Sequence, residues 1–183
     1  MCLHERGTTN EEDDRISAFA GGSFARQHYS GSGELGLPDY RRWVYLGSGV
    51  GMTYTDNKPE NPPFTNVFAE PSAYDKFMKT GSWPDKTVLI AEMRGSASNV
   101  SINKSGRVQT DKLIAIEAEV KDASKGGWAF YGFENGAQQG KLFPKTAACY
   151  SCHAEHAATD NTFVQFYPTL IDVSKKHRTY KDR

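Results

Sequence analysis

The chain is short of cysteine, has no long apolar run and carries no excess of either charge, and each shortage removes a class of protein. Only 3 of the 183 residues are Cys. They cannot all pair, and Cys149 and Cys152 stand three apart while Cys2 lies alone in a polar leader, which argues against a disulfide framework. No stretch reaches the roughly 18 consecutive apolar residues that a membrane span needs, and the opening MCLHERGTTNEEDDR lacks the apolar h-region of a signal peptide. No membrane association is expected. Lys and Arg total 22 against 22 Asp and Glu, so no whole-molecule field draws in phosphate backbones, and nucleic acid is not an expected partner. A chain of this length can bury roughly 70% of its unfolded surface as one domain, with no metal or disulfide required for size alone.

What is present divides the chain. Residues 1–33, rich in Glu, Asp, Ser, Gly and Arg without an apolar period, read as a disordered tail or leader remnant. In LGLPDYRRWVYLGSG, Asp39 as N-cap and Tyr40, Trp43, Val44 and Leu46 at helical spacing predict a short amphipathic helix stopped by Gly47. SGVGMTYTDNKPENPP predicts a loop, and the G-x-G-x-G from Gly47 to Gly51 a turn, since its spacing is not that of a dinucleotide loop. FTNVFAE, KTVLIAEMRG, DKLIAIEAEVKD and GGWAFYGFE predict strands, and PSAYDKFMKTG a helix with Pro71 in its first turn and Gly81 as its stop. Helical pattern returns at TAACYSCHAEHAA and TLIDVSKKHR. The expected class is α+β: a mainly antiparallel sheet with flanking helices.

Cys149-Tyr150-Ser151-Cys152-His153 is a C-x-x-C-H sequence, the attachment signature of c-type haem. Two thiols three residues apart on a helical turn can each add to a haem vinyl group, and the next residue then offers an imidazole nitrogen to the iron. The haem-attachment helix therefore lies near the C-terminus. A redox C-x-x-C would normally follow a strand in a βαβ unit, and half a zinc site would need two further ligands. No Met follows His153, so a second axial ligand must come from upstream, where Met52, Met78 and Met93 are available. Met78 and Met93 fit core packing, and Met52 in a Gly-rich loop stays a candidate. With an upstream sixth ligand the protein is an electron-transfer cytochrome. Without one the iron is five-coordinate and open to small molecules.

Beyond this motif the chain resembles the cytochrome P-460 and cytochrome c'-beta family from about Gly33 to Leu170. YRRWVYLGSGVGM, PFTNVFAEPSAY, TGSWPDKTV, IEAEVKD, GGWAFYGF and CYSCHAEHAATDNTFVQFYPTL carry the resemblance. It implies a haem domain over 34–183, a homodimer, and one covalent haem c per chain with Cys149 and Cys152 as thioether residues and His153 as iron ligand. Members like cytochrome P-460 have a lysine joined to the haem edge and a carboxylate for proton transfer, and oxidise hydroxylamine. Members like cytochrome c'-beta lack that lysine, cap the iron with phenylalanines and favour nitric oxide.

On this chain Lys58 aligns with the cross-linking lysine, with a solvated loop lysine as the alternative. Phe64 and Phe68 are candidates for the aromatic cap, or plain core residues. Glu117 and Glu119 share one strand face; Glu117 is the favoured proton-transfer carboxylate, and an exposed acidic face the alternative. Arg41 and Arg42 would meet either a haem propionate or water. The expected ligand is hydroxylamine or nitric oxide, with a redox partner protein for the enzyme reading. Covalent haem is assembled outside the bacterial cytoplasm, so a periplasmic or secreted location is expected although the given chain shows no export signal.

Overall fold

A computed structural model of the chain describes residues 34–182, apart from 55 and 57. The tail expected over 1–33 lies outside these residues. Among the described residues, β1 (Leu35–Gly36), β2 (Val44–Val50), β3 (Phe64–Ala69), β4 (Val88–Ala97), β5 (Val108–Asp122), β6 (Gly127–Phe133) and β7 (Gln139–Leu142) form one sheet. Every neighbouring pair is antiparallel, in the order β1-β7-β6-β5-β4-β3-β2. Three helices flank it: α1 (Pro71–Thr80), α2 (Ala148–His156) and α3 (Pro168–Lys176). The α+β class read from the sequence is the class observed. No described helix is long and apolar enough to cross a membrane.

The sheet is forced to curl. β1 and β2 are its opposite edges, yet only residues 37–43 join them. That connection spans at most about 28 Å fully extended, and less with the 3-10 turn Tyr40–Arg42 inside it. Six intervals between seven flat strands would need about 29 Å. The edges therefore come round towards each other over one face, which closes on Tyr40, Ile90, Ile116, Val120, Tyr131 and Phe133. Buried Glu92 on β4 fastens the closure. Its carboxylate accepts from Tyr40 Oη, from Arg41 Nη2 at 2.5 Å and from Arg94 Nε at 2.5 Å.

The opposite face carries the helices and a second core that includes Leu46, Phe77, Trp83, Leu89, Phe130 and Leu170. α1 starts where Glu70 caps it by accepting from the N–H groups of Ser72 (3.1 Å) and Ala73 (2.8 Å). It stops at Gly81, at φ 69°, where a Cβ would also fall 2.5 Å from His177 Cβ.

Two local expectations are corrected. The helix expected over Asp39–Leu46 is a 3-10 turn followed by β2; Asp39 makes no capping bond, and Trp43 turns extended at ψ 173°. Pairing with β3 supplies a full ladder to Val44 and Tyr45, and that ladder overrides a short helical period. The turn expected at Gly47–Gly51 is instead largely strand, since Gly47, Ser48, Gly49 and Val50 all pair with β3. The short edges β1 and β7 carry too few apolar residues to announce themselves.

Candidate haem site

α2 lies over the helix-bearing face of the sheet, and its motif opens into a cavity of about 750 Å³, within the range of small-molecule and cofactor sites. Cys149, Cys152 and His153 all line it. Tyr150 fixes the helix to the sheet: its ring meets Phe130 edge-on with centroids 4.8 Å apart, and its hydroxyl donates to the Phe143 carbonyl at 3.3 Å. Burial raises the Cys149 thiol above its ordinary value, with the nearby Glu117 and Glu119 adding to the effect.

His153 is held on three sides. Its ring packs between Phe130 and Phe163, with centroids at 4.7 and 4.5 Å, and its Nδ1 lies 2.8 Å from the Asn161 carbonyl. A carbonyl can only accept, so Nδ1 carries the proton and Nε2 keeps its lone pair. Burial holds the imidazole below its ordinary value, which keeps it neutral at pH 7. A metal-binding histidine needs this tautomer and this kind of partner behind it.

The strand registers explain the cavity. β3, β4 and β5 point Thr65, Val67, Leu89, Ala91, Glu117 and Glu119 to the helix side, and all six line the cavity. The neighbouring Gly47 and Gly49 on β2 keep its floor low. A Cβ on Gly49 would fall 2.6 Å from Met52 Sδ, and one on Gly47 would fall 3.1 Å from the Phe166 carbonyl. Period-two glycines in a strand clear one face, which is the signal the turn reading of Gly47–Gly51 overlooked.

Glu119 is the most constrained polar group here. Burial, with Glu117 beside it, pushes its carboxyl up to about 8, so it is mainly protonated at pH 7. Its Oε1 is 3.6 Å from His153 Nε2, a contact between neutral partners, and its buried Oε2 has no hydrogen-bond partner. Burial raises Glu117 as well. The fit to a haem is good: two thiols one helical turn apart, an imidazole with its lone pair free, and a largely apolar cavity with small residues in its floor.

The family model described as cytochrome P460 matches residues 37–164, from the connection before β2 to the end of the histidine's packing shell. The chain belongs to the cytochrome P460 family. Membership implies a c-type haem protein, and the residues matched include the C-x-x-C-H motif on α2. A comparison with curated proteins finds no match.

Within this cytochrome P460 site the other sequence candidates separate. Glu117 and Glu119 both reach the cavity, so the acidic strand face is not solvated. Phe64 and Phe68 do not line it: they pair with Arg94 and Ile90 on the opposite face, where Phe68 packs 5.5 Å from Tyr40. The alternation of β3 that groups these two phenylalanines also turns both away from the motif. Lys58 is exposed in the loop before β3 and is not a lining residue. Arg41 is committed to Glu92. The sequence reading passed over Phe130, Phe163 and the Asn161 carbonyl, because main-chain acceptors and long-range ring contacts have no local signature.

Proposed function

We propose that the chain carries one haem c, bound covalently by Cys149 and Cys152 and ligated by His153, with its other face open to a small nitrogen species, hydroxylamine first. The carrying observation is the Glu117–Glu119 pair in the cavity. A buried carboxyl oxygen without a partner costs about 1–3 kcal/mol, and a passive electron carrier has no use for it. Cys149 and Cys152 would hold the haem as thioethers, each supplying its thiol to a vinyl group, and His153 would supply the nitrogen for the iron. When bound, the haem supplies a coordination position and an electron acceptor, and the electrons leave through a redox partner protein.

The chain's own residues handle the protons. Glu119, at about 8, donates at neutral pH and becomes a base as the pH rises past that value. Leu89, Ala91 and Phe130 give the cavity an apolar wall beside it. Nitric oxide binding is the second reading, favoured by Lys58, which is exposed and does not line the cavity. We further propose a periplasmic or secreted location, because covalent haem is assembled there, and a homodimer as the family resemblance implies.

Mass spectrometry of the haem peptide and the ferric spectrum test this reading. The expected result is a peptide containing Cys149 and Cys152 with one haem, and a high-spin spectrum that changes on adding hydroxylamine or nitric oxide. A lysine linkage would favour the enzyme branch, and two thioethers alone nitric oxide binding. A six-coordinate low-spin spectrum would overturn the open site and point to a thioether, with Met52 and Met93 both lining the cavity.

A further inference from the structure

The carbonyl behind His153 belongs to a small turn that is anchored to the sheet from outside the cavity. Thr159 and Thr162 exchange backbone hydrogen bonds at 3.3 and 2.8 Å, and the two residues between them, Asp160 and Asn161, sit at φ 49° and 57°. These are the left-handed conformations of a two-residue type I′ turn, which Asn and Asp tolerate better than other side chains. The turn is pinned at both ends. Trp83 Nε1 donates to Thr162 Oγ1 at 2.9 Å inside the core. Lys121 Nζ, on β5, donates to Asp160 Oδ2 at 2.6 Å and to the Trp83 carbonyl at 2.7 Å.

Lys121 follows Glu117 and Glu119 at period two on the same strand, so one face of β5 supplies the cavity carboxylates and, beyond them, the anchor of the turn. Both members of the Lys121–Asp160 pair are about three-quarters shielded from solvent, with side-chain exposures of 24% and 25%. The pair is therefore screened less than a surface ion pair.

We propose that Lys121 is a positioning residue for the haem iron: by holding Asp160 it keeps the Asn161 carbonyl on His153 Nδ1 and thereby sets how strongly the imidazole donates to the metal. The inference rests on His153 being the axial ligand. A hydrogen bond from Nδ1–H gives the ring partial imidazolate character and raises its basicity as a ligand. That effect depends steeply on length and angle. A turn released from Lys121 lets the carbonyl drift and water compete for Nδ1–H. Stronger donation stabilises ferric over ferrous iron, so loss of the anchor raises the midpoint potential and weakens the iron–histidine bond.

The test compares haem-loaded wild type, Lys121→Met, Lys121→Arg, Asp160→Asn and Lys141→Met by ferrous resonance Raman and by potentiometry. Lys121→Met is expected to lower the iron–histidine stretching frequency and to shift the ferrous to ferric ratio on the order of tenfold, 59 mV for a one-electron couple. Lys121→Arg, which keeps a cation on Asp160, restores most of both values. Asp160→Asn keeps a residue suited to the turn, removes only the ion pair and reproduces the shift, so it decides the matter if Lys121→Met fails to fold. Lys141→Met removes an exposed pair with Glu134 and leaves both values at wild type. Wild-type frequency and potential in haem-loaded Lys121→Met and Asp160→Asn would overturn the proposal. A haem-loaded wild type without an iron–histidine band would instead overturn the open five-coordinate site, and the midpoint potentials then decide the inference; a wild type that takes up no haem would overturn the haem assignment itself, and the inference with it.

Discussion

Replacing Glu92 by Gln tests how the sheet is held closed. Glu92 is 4% exposed and receives hydrogen bonds from Tyr40, Arg41 and Arg94, joining the 3-10 connection to the middle of the sheet. Removing one partner of a fully buried ion pair costs about 3–5 kcal/mol. Here the stranded guanidinium groups are 55% and 21% exposed, so water recovers part of that loss and about 2–3 kcal/mol is expected. For a domain of this size that lowers Tm by roughly 4–12 °C. Arg94→Ala should cost about 2 kcal/mol, because Arg94 donates from both Nε and Nη2 and is mostly shielded. Tyr40→Phe should cost about 1 kcal/mol, and Arg41→Ala no more than about 1 kcal/mol, as for other exposed ion pairs.

The pH dependence gives a second reading of the same network. Despite its burial, the hydrogen bonds and charges of Arg94, Tyr40 and Arg41 hold Glu92 below its ordinary value of 4.5. A depressed carboxylate adds stability above its unfolded pKa and loses it as the pH falls through the folded one. The gap between wild type and Glu92→Gln should therefore be full at pH 7 and shrink in acid. Urea unfolding followed by circular dichroism at pH 7, 5, 4 and 3 measures it. A gap under about 1 kcal/mol at pH 7, or one that does not change down to pH 3, would refute the clamp.

Other positions give shorter tests. On the proposed function, Glu119→Gln should remove the limb of a hydroxylamine-oxidation profile that rises through about pH 8, leaving haem content unchanged, as stopped-flow rates from pH 6 to 9 would show. Gly49→Val puts a branched side chain into the cavity floor, where even a Cβ lies 2.6 Å from Met52 Sδ; haem incorporation should fall severalfold by absorbance ratio. Gly81→Ala forces a left-handed residue against His177 and should cost at least about 1 kcal/mol in denaturant unfolding.

Much of the fold was legible because its cues are local. Glu70-Pro71 and Gly81 bracket α1 with a cap, a first-turn proline and a left-handed stop, and each works through neighbours a few residues away. The alternation in LIAIEAEV puts Glu117 and Glu119 together on one face, and the spacing of Cys149, Cys152 and His153 puts the three on about one helical turn. β2 was misread because Tyr40, Trp43, Val44 and Leu46 satisfy a helical period over a single turn, and only the partner strand β3 breaks the tie.

Period and spacing could say which side chains travel together, but not what each group would face. Phe64 and Phe68 shared a face, as did Glu117 and Glu119, yet one pair is turned into the closed side of the sheet and the other into the cavity. That choice follows from the short link over residues 37–43, which draws the two edge strands together on one side, and from the packing of α2 on the other. The same long-range closure gives Glu119 its raised proton affinity, while His153 takes its carbonyl partner from Asn161, 8 residues on, in a turn that Trp83 and Lys121 hold from distant parts of the chain. Ligand chemistry is carried by residue identity at short spacing. The environment that tunes it exists only once those segments are packed together.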